Sequence, residues 1–281
     1  MATRYSLLTS TAIATIVMLS TSSVSLAADI PVGGPAYAMD DDLPAVSGLN
    51  GKIAVYGGWQ DDQVDDGGIF GVLGSVSVPL GHRFGFQADA QLAAVEDDIF
   101  GRLGGHLFWR DPSKGLLGIY GSVEGYDDTN FDAWRIAAEA EGYFDRVTLR
   151  MMAGFEDVNF GGGGGGGGGG VDSELFALAD IAYYLNDDLK ASLGYRHMND
   201  THMAAAGVEY QLQNGFFGSG TSIFAEGRVG ENDYAAAWAG VRLYLGAGQK
   251  TLIRRHREDD PASFDETNRL AERLCFKCAF D

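Results

Sequence analysis

Two cysteines and six prolines are few for a chain of 281 residues. The cysteines, Cys275 and Cys278, form a single C-x-x-C close to the C-terminus. One such pair cannot supply the four thiolates of a structural zinc site, and the α/β frame that a redox motif needs is missing. In an oxidising compartment the pair is read as a local disulfide or as incidental thiols. Proline scarcity leaves long strands uninterrupted. Long apolar runs are missing too. Beyond Ala27 nothing approaches the roughly 20 apolar residues of a membrane helix, and mean hydropathy is −0.06. That excludes a helical membrane bundle but not a membrane barrel, in which only alternate residues face lipid. Basic residues are outnumbered: 20 Lys and Arg against 39 Asp and Glu, a formal charge of −19. This excludes nucleic acid as a partner.

What is present starts with a secretory signal peptide over 1–27. Arg4 gives the positive start, Ala12 to Leu19 a short apolar core, and Ser25-Leu26-Ala27 a cleavage site of small residues. Export through the Sec pathway is expected. Residues 28–47, with Pro31, Pro35, Pro44 and the run Asp40-Asp41-Asp42, read as a periplasmic linker.

From Gly48 to Gly246 the chain alternates. In a strand successive side chains point to opposite faces. The hairpin Thr221 to Gly246 shows this most clearly. Val229, Val241, Leu243 and Leu245 share apolar faces, while Glu226, Arg228, Trp238 and Arg242 lie opposite. The same scheme repeats upstream: Leu103, Leu107 and Trp109 oppose Arg102, His106 and Arg110, and Trp134, Ile136 and Ala138 oppose Arg135, Glu139 and Glu141. Counting such segments gives about twelve strands, an even number as bacterial single-chain barrels require. The fold class expected is all-β: a closed antiparallel transmembrane β-barrel over 48–246, followed by a periplasmic tail over 247–281.

Connections carry separate information. Those after odd strands are expected to be often long and acidic: Gln60 to Gly68, Glu96 to Asp98, Tyr126 to Asp132, Asn159 to Ser173, His197 to Thr201 and Gly230 to Asp233. Those after even strands are expected to be mostly tight: Pro79-Leu80-Gly81-His82, Asp111-Pro112-Ser113, Asp145-Arg146 and Asn186-Asp187-Asp188. Outer-membrane barrels have short periplasmic turns and longer external loops, so both mature termini are expected in the periplasm. Trp59, Phe70, Phe84, Trp109, Trp134, Phe155, Tyr183 and Tyr195 sit near strand ends on the apolar face, as membrane-interface girdles do.

The faces opposed to the apolar one carry Lys52, Asp89, Arg102, Arg110, Glu124, Arg135, Glu139, Glu141, Arg150, Glu156, Asp180, Lys190, Arg196, Glu209, Glu226, Arg228 and Arg242. These are the candidate lumen-lining residues. Charges in a confined lumen must pair or meet water, because unpaired burial is costly. Their nearly balanced signs suggest ion-pair ladders across neighbouring strands, which either narrow a wet passage or plug it.

Other features point less far. Gly161 to Gly170 lacks the Lys-Ser/Thr of a phosphate-binding loop and reads as a floppy external loop. Leu252 to Arg257 is basic and reads as part of a solvated tail, and Ser263 to Phe276 has the pattern of a short helix. His197, Asp200 and His202 form a loose external cluster, and Asp61-Asp62 with Asp65-Asp66 supply hard oxygens of the kind divalent cations take. Neither amounts to a catalytic or metal site, and no cofactor is expected.

The stretches GGHLFWRDPSKGLLGIYGS (Gly104 to Ser122), SIFAEGRVGENDYAAAWAGVRLYLG (Ser222 to Gly246) and KTLIRRHREDDP (Lys250 to Pro261) resemble a porin-like, uncharacterised group of Gram-negative outer-membrane β-barrel proteins. The resemblance implies location and fold, and brings no substrate or catalytic residue. Outer-membrane phospholipases and lipid A deacylases carry His and Ser two apart on a strand. Here no Ser lies two residues after His82, His106, His197, His202 or His256. The function expected is therefore non-enzymatic: passive diffusion of small solutes or ions, or a structural role, with surface binding through the loops as the alternative. Outer-membrane lipids and the outer-membrane assembly machinery are the expected partners.

Overall fold

The computed structural model describes residues 43–61, 66–95, 98–126, 131–160, 173–198, 201–213, 220–231, 233–246, 248–259 and 261. The signal peptide, most of the linker, the glycine tract, Asp200 and both cysteines lie outside them.

Twelve strands form one closed antiparallel sheet: β1 (Asn50–Asp61), β2 (Asp66–Leu80), β3 (Phe84–Val95), β4 (Asp98–Asp111), β5 (Gly115–Tyr126), β6 (Phe131–Phe144), β7 (Val147–Phe160), β8 (Glu174–Asn186), β9 (Leu189–Met198), β10 (Thr201–Leu212), β11 (Thr221–Gly230) and β12 (Ala235–Leu245). Each strand pairs with its sequence neighbours. The barrel closes where β1 meets β12, in register from Gly51↔Leu245 to Asp61↔Ala235. Closure leaves no strand edge unpaired.

The alternation has a physical reading in the burial pattern. On β4, Arg102, His106, Phe108 and Arg110 are buried, while Leu103 and Leu107 are 63% and 45% exposed. Large apolar side chains stand exposed round the outside on every strand, among them Val55, Phe70, Phe86, Ile119, Ile136, Met151, Ile181, Leu193, Val208, Ile223 and Val241. An apolar belt outside and charge inside inverts a soluble barrel and suits lipid, where only closed sheets or helices satisfy the backbone. Six of the expected girdle aromatics (Phe70, Phe84, Trp134, Phe155, Tyr183 and Tyr195) are exposed on this outer face. Phe84 and Trp109 are direct cross-strand partners.

Two expectations need correction. The strands run further into the predicted loops than the apolar pattern does: Asp61↔Asp66, Gln60↔Gly67 and Val95↔Asp98 are paired. Strand pairing needs backbone hydrogen bonds, not apolar side chains, so polar residues extend it beyond the belt. The connections after β1, β3, β5 and β9 shrink to 62–65, 96–97, 127–130 and 199–200, that after β11 is 231–234, and 161–173 is the longest interval between strands. At the other end the four connections expected to be tight are 81–83, 112–114, 145–146 and 187–188, and β10 and β11 are separated by 213–220. The second correction concerns the segment after β12. A short helix, α1 (Leu252–Glu258), packs into the barrel mouth at the turn end instead of standing in solvent.

Candidate functional site

All seventeen candidate residues lie on the inward face, buried or half-buried. The lumen they line has two unlike sides.

Along β2–β7 it is filled by polar rows. In one row Gln91, Arg102, Glu124, Arg135 and Glu156 succeed each other across five strands. Arg102 meets Gln91 at 3.2 Å and Glu124 at 2.8 Å. Arg135 meets Glu124 at 2.7 Å and Glu156 at 2.9 Å. In the second row Ser77 donates to Gln87 at 2.7 Å and Gln87 to Asp89 at 2.9 Å. His106 then bridges Asp89 through Nε2 at 3.0 Å and Glu139 through Nδ1 at 2.9 Å. Both ring nitrogens face carboxylate oxygens, an arrangement an imidazolium satisfies by donating twice. Counted this way, Arg102, Arg110, Arg135 and His106 balance Asp89, Glu124, Glu139 and Glu156.

The side formed by β7–β12 is not filled. A cavity of about 140 Å³ lies there, with room for on the order of ten waters. Its walls, completed by Lys52 of β1 and Glu141 of β6, carry Lys52, Arg150, Lys190, Arg196, Arg228 and Arg242 against Glu141, Asp180, Glu209 and Glu226. Asp180 sits between Arg150 at 2.8 Å and Arg196 at 2.6 Å. Glu209 sits between Lys190 at 3.2 Å and Arg242 at 2.8 Å, and also accepts from the hydroxyls of Ser222 and Tyr244. The guanidinium groups of Arg228 and Arg242 lie over Trp238 at 4.7 Å and Phe224 at 4.5 Å, which fixes their heads.

Sequence reasoning missed two further features. Toward the loop end, inward Ile69, Met152, Phe176, Leu178, Met198, Met203, Tyr234 and Trp238 pack into an apolar cluster inside the barrel. Alternation sorts residues in or out, and these apolar residues occupy inward positions. At the turn end α1 closes over the lumen. Its first amides are met by the β8–β9 turn: Leu252 N–H donates to Asp188 Oδ1 at 3.2 Å and Ile253 N–H to the Asp187 carbonyl at 3.1 Å. Leu252 and Ile253 are fully buried beside Tyr184. Arg257 donates to the Val147 carbonyl at 3.0 Å and lies over Tyr143 and Tyr184. His256 reaches Tyr184 Oη at 2.8 Å and Tyr244 Oη at 2.9 Å, and lines the cavity floor with Pro261. The Pro261 carbonyl accepts from Lys52 and Gln87, each at 3.3 Å. Burial holds the His256 imidazole well below its ordinary range; Lys190, Arg242 and Lys52 add to this and Glu209 opposes it.

His197 and His202 are cross-strand partners, stacked at 4.4 Å between ring centroids. They follow the outward positions Leu193 and Tyr195 on β9 and precede inward Met203 on β10, so they face away from the lumen. Among the described residues no group of three His, Cys, Asp or Glu side chains is placed to hold a metal ion.

No family model matches this chain, and no curated protein matches it. Solved structures do. A KdgM porin in complex with disordered oligogalacturonate superimposes with a TM-score of 0.52 and 11% identity, over 69% of this chain and 99% of that one. A KdgM porin gives 0.49, 10% identity, and 69% and 99% coverage. The translocator domain of autotransporter NalP from Neisseria meningitidis gives 0.45, 16% identity, and 71% and 88% coverage. At such identities the first likeness is one of fold: the chain has the architecture of an outer-membrane β-barrel.

Proposed function

We propose that this protein is a porin-like barrel of the outer membrane that lets small solutes or ions pass slowly, along the β7–β12 side of its lumen. The observation that carries this reading is the charged cavity beside a wall that is otherwise filled. A purely structural barrel of this size would gain more by packing both sides. The inner apolar cluster and α1 obstruct the two ends of this side, which suits slow passage rather than an open channel. Delivery by the N-terminal signal peptide, with both mature termini in the periplasm, belongs to the same proposal. So does a non-enzymatic role, which rests on the sequence: no Ser lies two residues after any of the five histidines. Planar-bilayer recording on the refolded full chain tests it. Discrete conductance steps are expected; a folded barrel that passes no current at any voltage would leave only a structural role.

A further inference from the structure

The lumen's charge is divided unevenly. The filled side is neutral, while the cavity side has two cations in excess, although the whole chain is strongly acidic. The excess is at the water surface. Of the two cations on Asp180, Arg196 has a buried head and Arg150 is 20% exposed. Of the two on Glu209, Arg242 is buried and Lys190 is 22% exposed. Each carboxylate, half-buried Asp180 and buried Glu209, is thus held by a buried arginine and shared by a second cation that also faces the cavity. These second cations stand on β7 and β9, either side of β8. In a confined space with low-dielectric walls, such charges act on a solute far more strongly than the screened acidic residues at the barrel ends. A planar guanidinium and a point-like ammonium facing one small cavity match an anion with more than one oxyanion group.

We infer that this cavity is a binding site for small polyanions, carboxylates or phosphates, with Arg150 and Lys190 as the residues that take them. As a station on a passage the site rests on the porin reading; as a binding site it does not.

Isothermal titration of the purified full chain with citrate at low ionic strength tests the site. Folding is checked by heat-modifiable mobility in gels. The double variant Arg150→Gln/Lys190→Gln removes the excess charge and two ion pairs, yet leaves Asp180 with Arg196 and Glu209 with Arg242, so each carboxylate keeps a cationic partner. Citrate should bind the wild-type chain and bind the double variant about tenfold more weakly or worse, and Arg150→Lys should retain most of the affinity. No citrate binding by the folded wild-type chain, or equal binding by the double variant, overturns the site. Bilayer recording separates this from the parent reading. Citrate binding without current keeps the site and removes the passage, whereas current without citrate binding keeps the passage and removes the site.

Discussion

The hydroxyl of Ser47 donates to Oδ1 of Asp259 at 2.6 Å, across 212 positions of sequence. The Ser47 amide donates to the Glu258 carbonyl at 2.9 Å beside it. The segment that leads into β1 therefore holds the end of α1, and Lys250 reinforces it with ion pairs to Glu258 and Asp259.

This latch makes α1 a removable part. Leu252→Asp with Ile253→Asp places two carboxylates where fully buried apolar side chains sit. The helix should leave the mouth while the barrel stays folded, because none of its strands ends in α1. Trypsin should then cut after Arg255 and Arg257, both buried in the native chain. Mass spectrometry of the fragments reads the outcome; equal protection in the variant would show that α1 is held by something other than these contacts. Ser47→Ala alone should cost about 1 kcal/mol of docking.

Acid should loosen the same helix. The folded-state pKa of His256 lies below the unfolded value of about 6.5. The undocked state therefore binds the proton more readily. Docking is at full strength above pH about 6.5 and weakens as pH falls below it, until the folded value is passed. Amide exchange in α1, corrected for intrinsic rates, should speed up between pH about 7 and 5. His256→Gln should flatten that dependence.

Arg135 joins two carboxylates inside the filled wall. Arg135→Ala leaves Glu156 without this ion pair and Glu124 with Arg102 alone, and should cost about 3–5 kcal/mol. Urea unfolding in lipid vesicles measures it. Arg135→Met with Glu156→Gln should recover part of the loss, because fewer uncompensated charges remain.

The outward face offers a test of lipid contact. Leu103→Arg near the middle of β4 should destabilise the barrel by about 2–4 kcal/mol in vesicles. A water-exposed surface would tolerate the change within about 0.5 kcal/mol, so a near-zero effect would place this face in solvent.

Much of this architecture was legible because alternation is a local property. Ile53 against Lys52, or Trp134 against Arg135, declares its face without knowledge of neighbours, and the strand count and the list of inward charges follow. What alternation cannot express is reach across a lumen. Nothing in the spacing says that Arg102, Glu124 and Arg135 join into one row while Arg150 and Lys190 border empty space. Nor does it flag inward apolar residues: Phe176 and Leu178 sit in a segment of mixed pattern, and their packing depends on Met198 and Met203 arriving from other strands. The helix was misread for a related reason. Arg255 and Arg257 look like solvent-seeking groups, yet a guanidinium lies stably over tyrosine rings when it can also donate to a carbonyl. Leu252-Ile253 just before them was the available signal.

The seam between β1 and β12 has a consequence for how the chain is made. Its two partners are the first and last strands, so the circle cannot shut until nearly the whole polypeptide has been delivered. Until then both borders are open to any passing strand. A chain cut before Ala235 would lack the piece that seals it, and should accumulate as a sticky, unclosed ribbon rather than as a smaller cylinder.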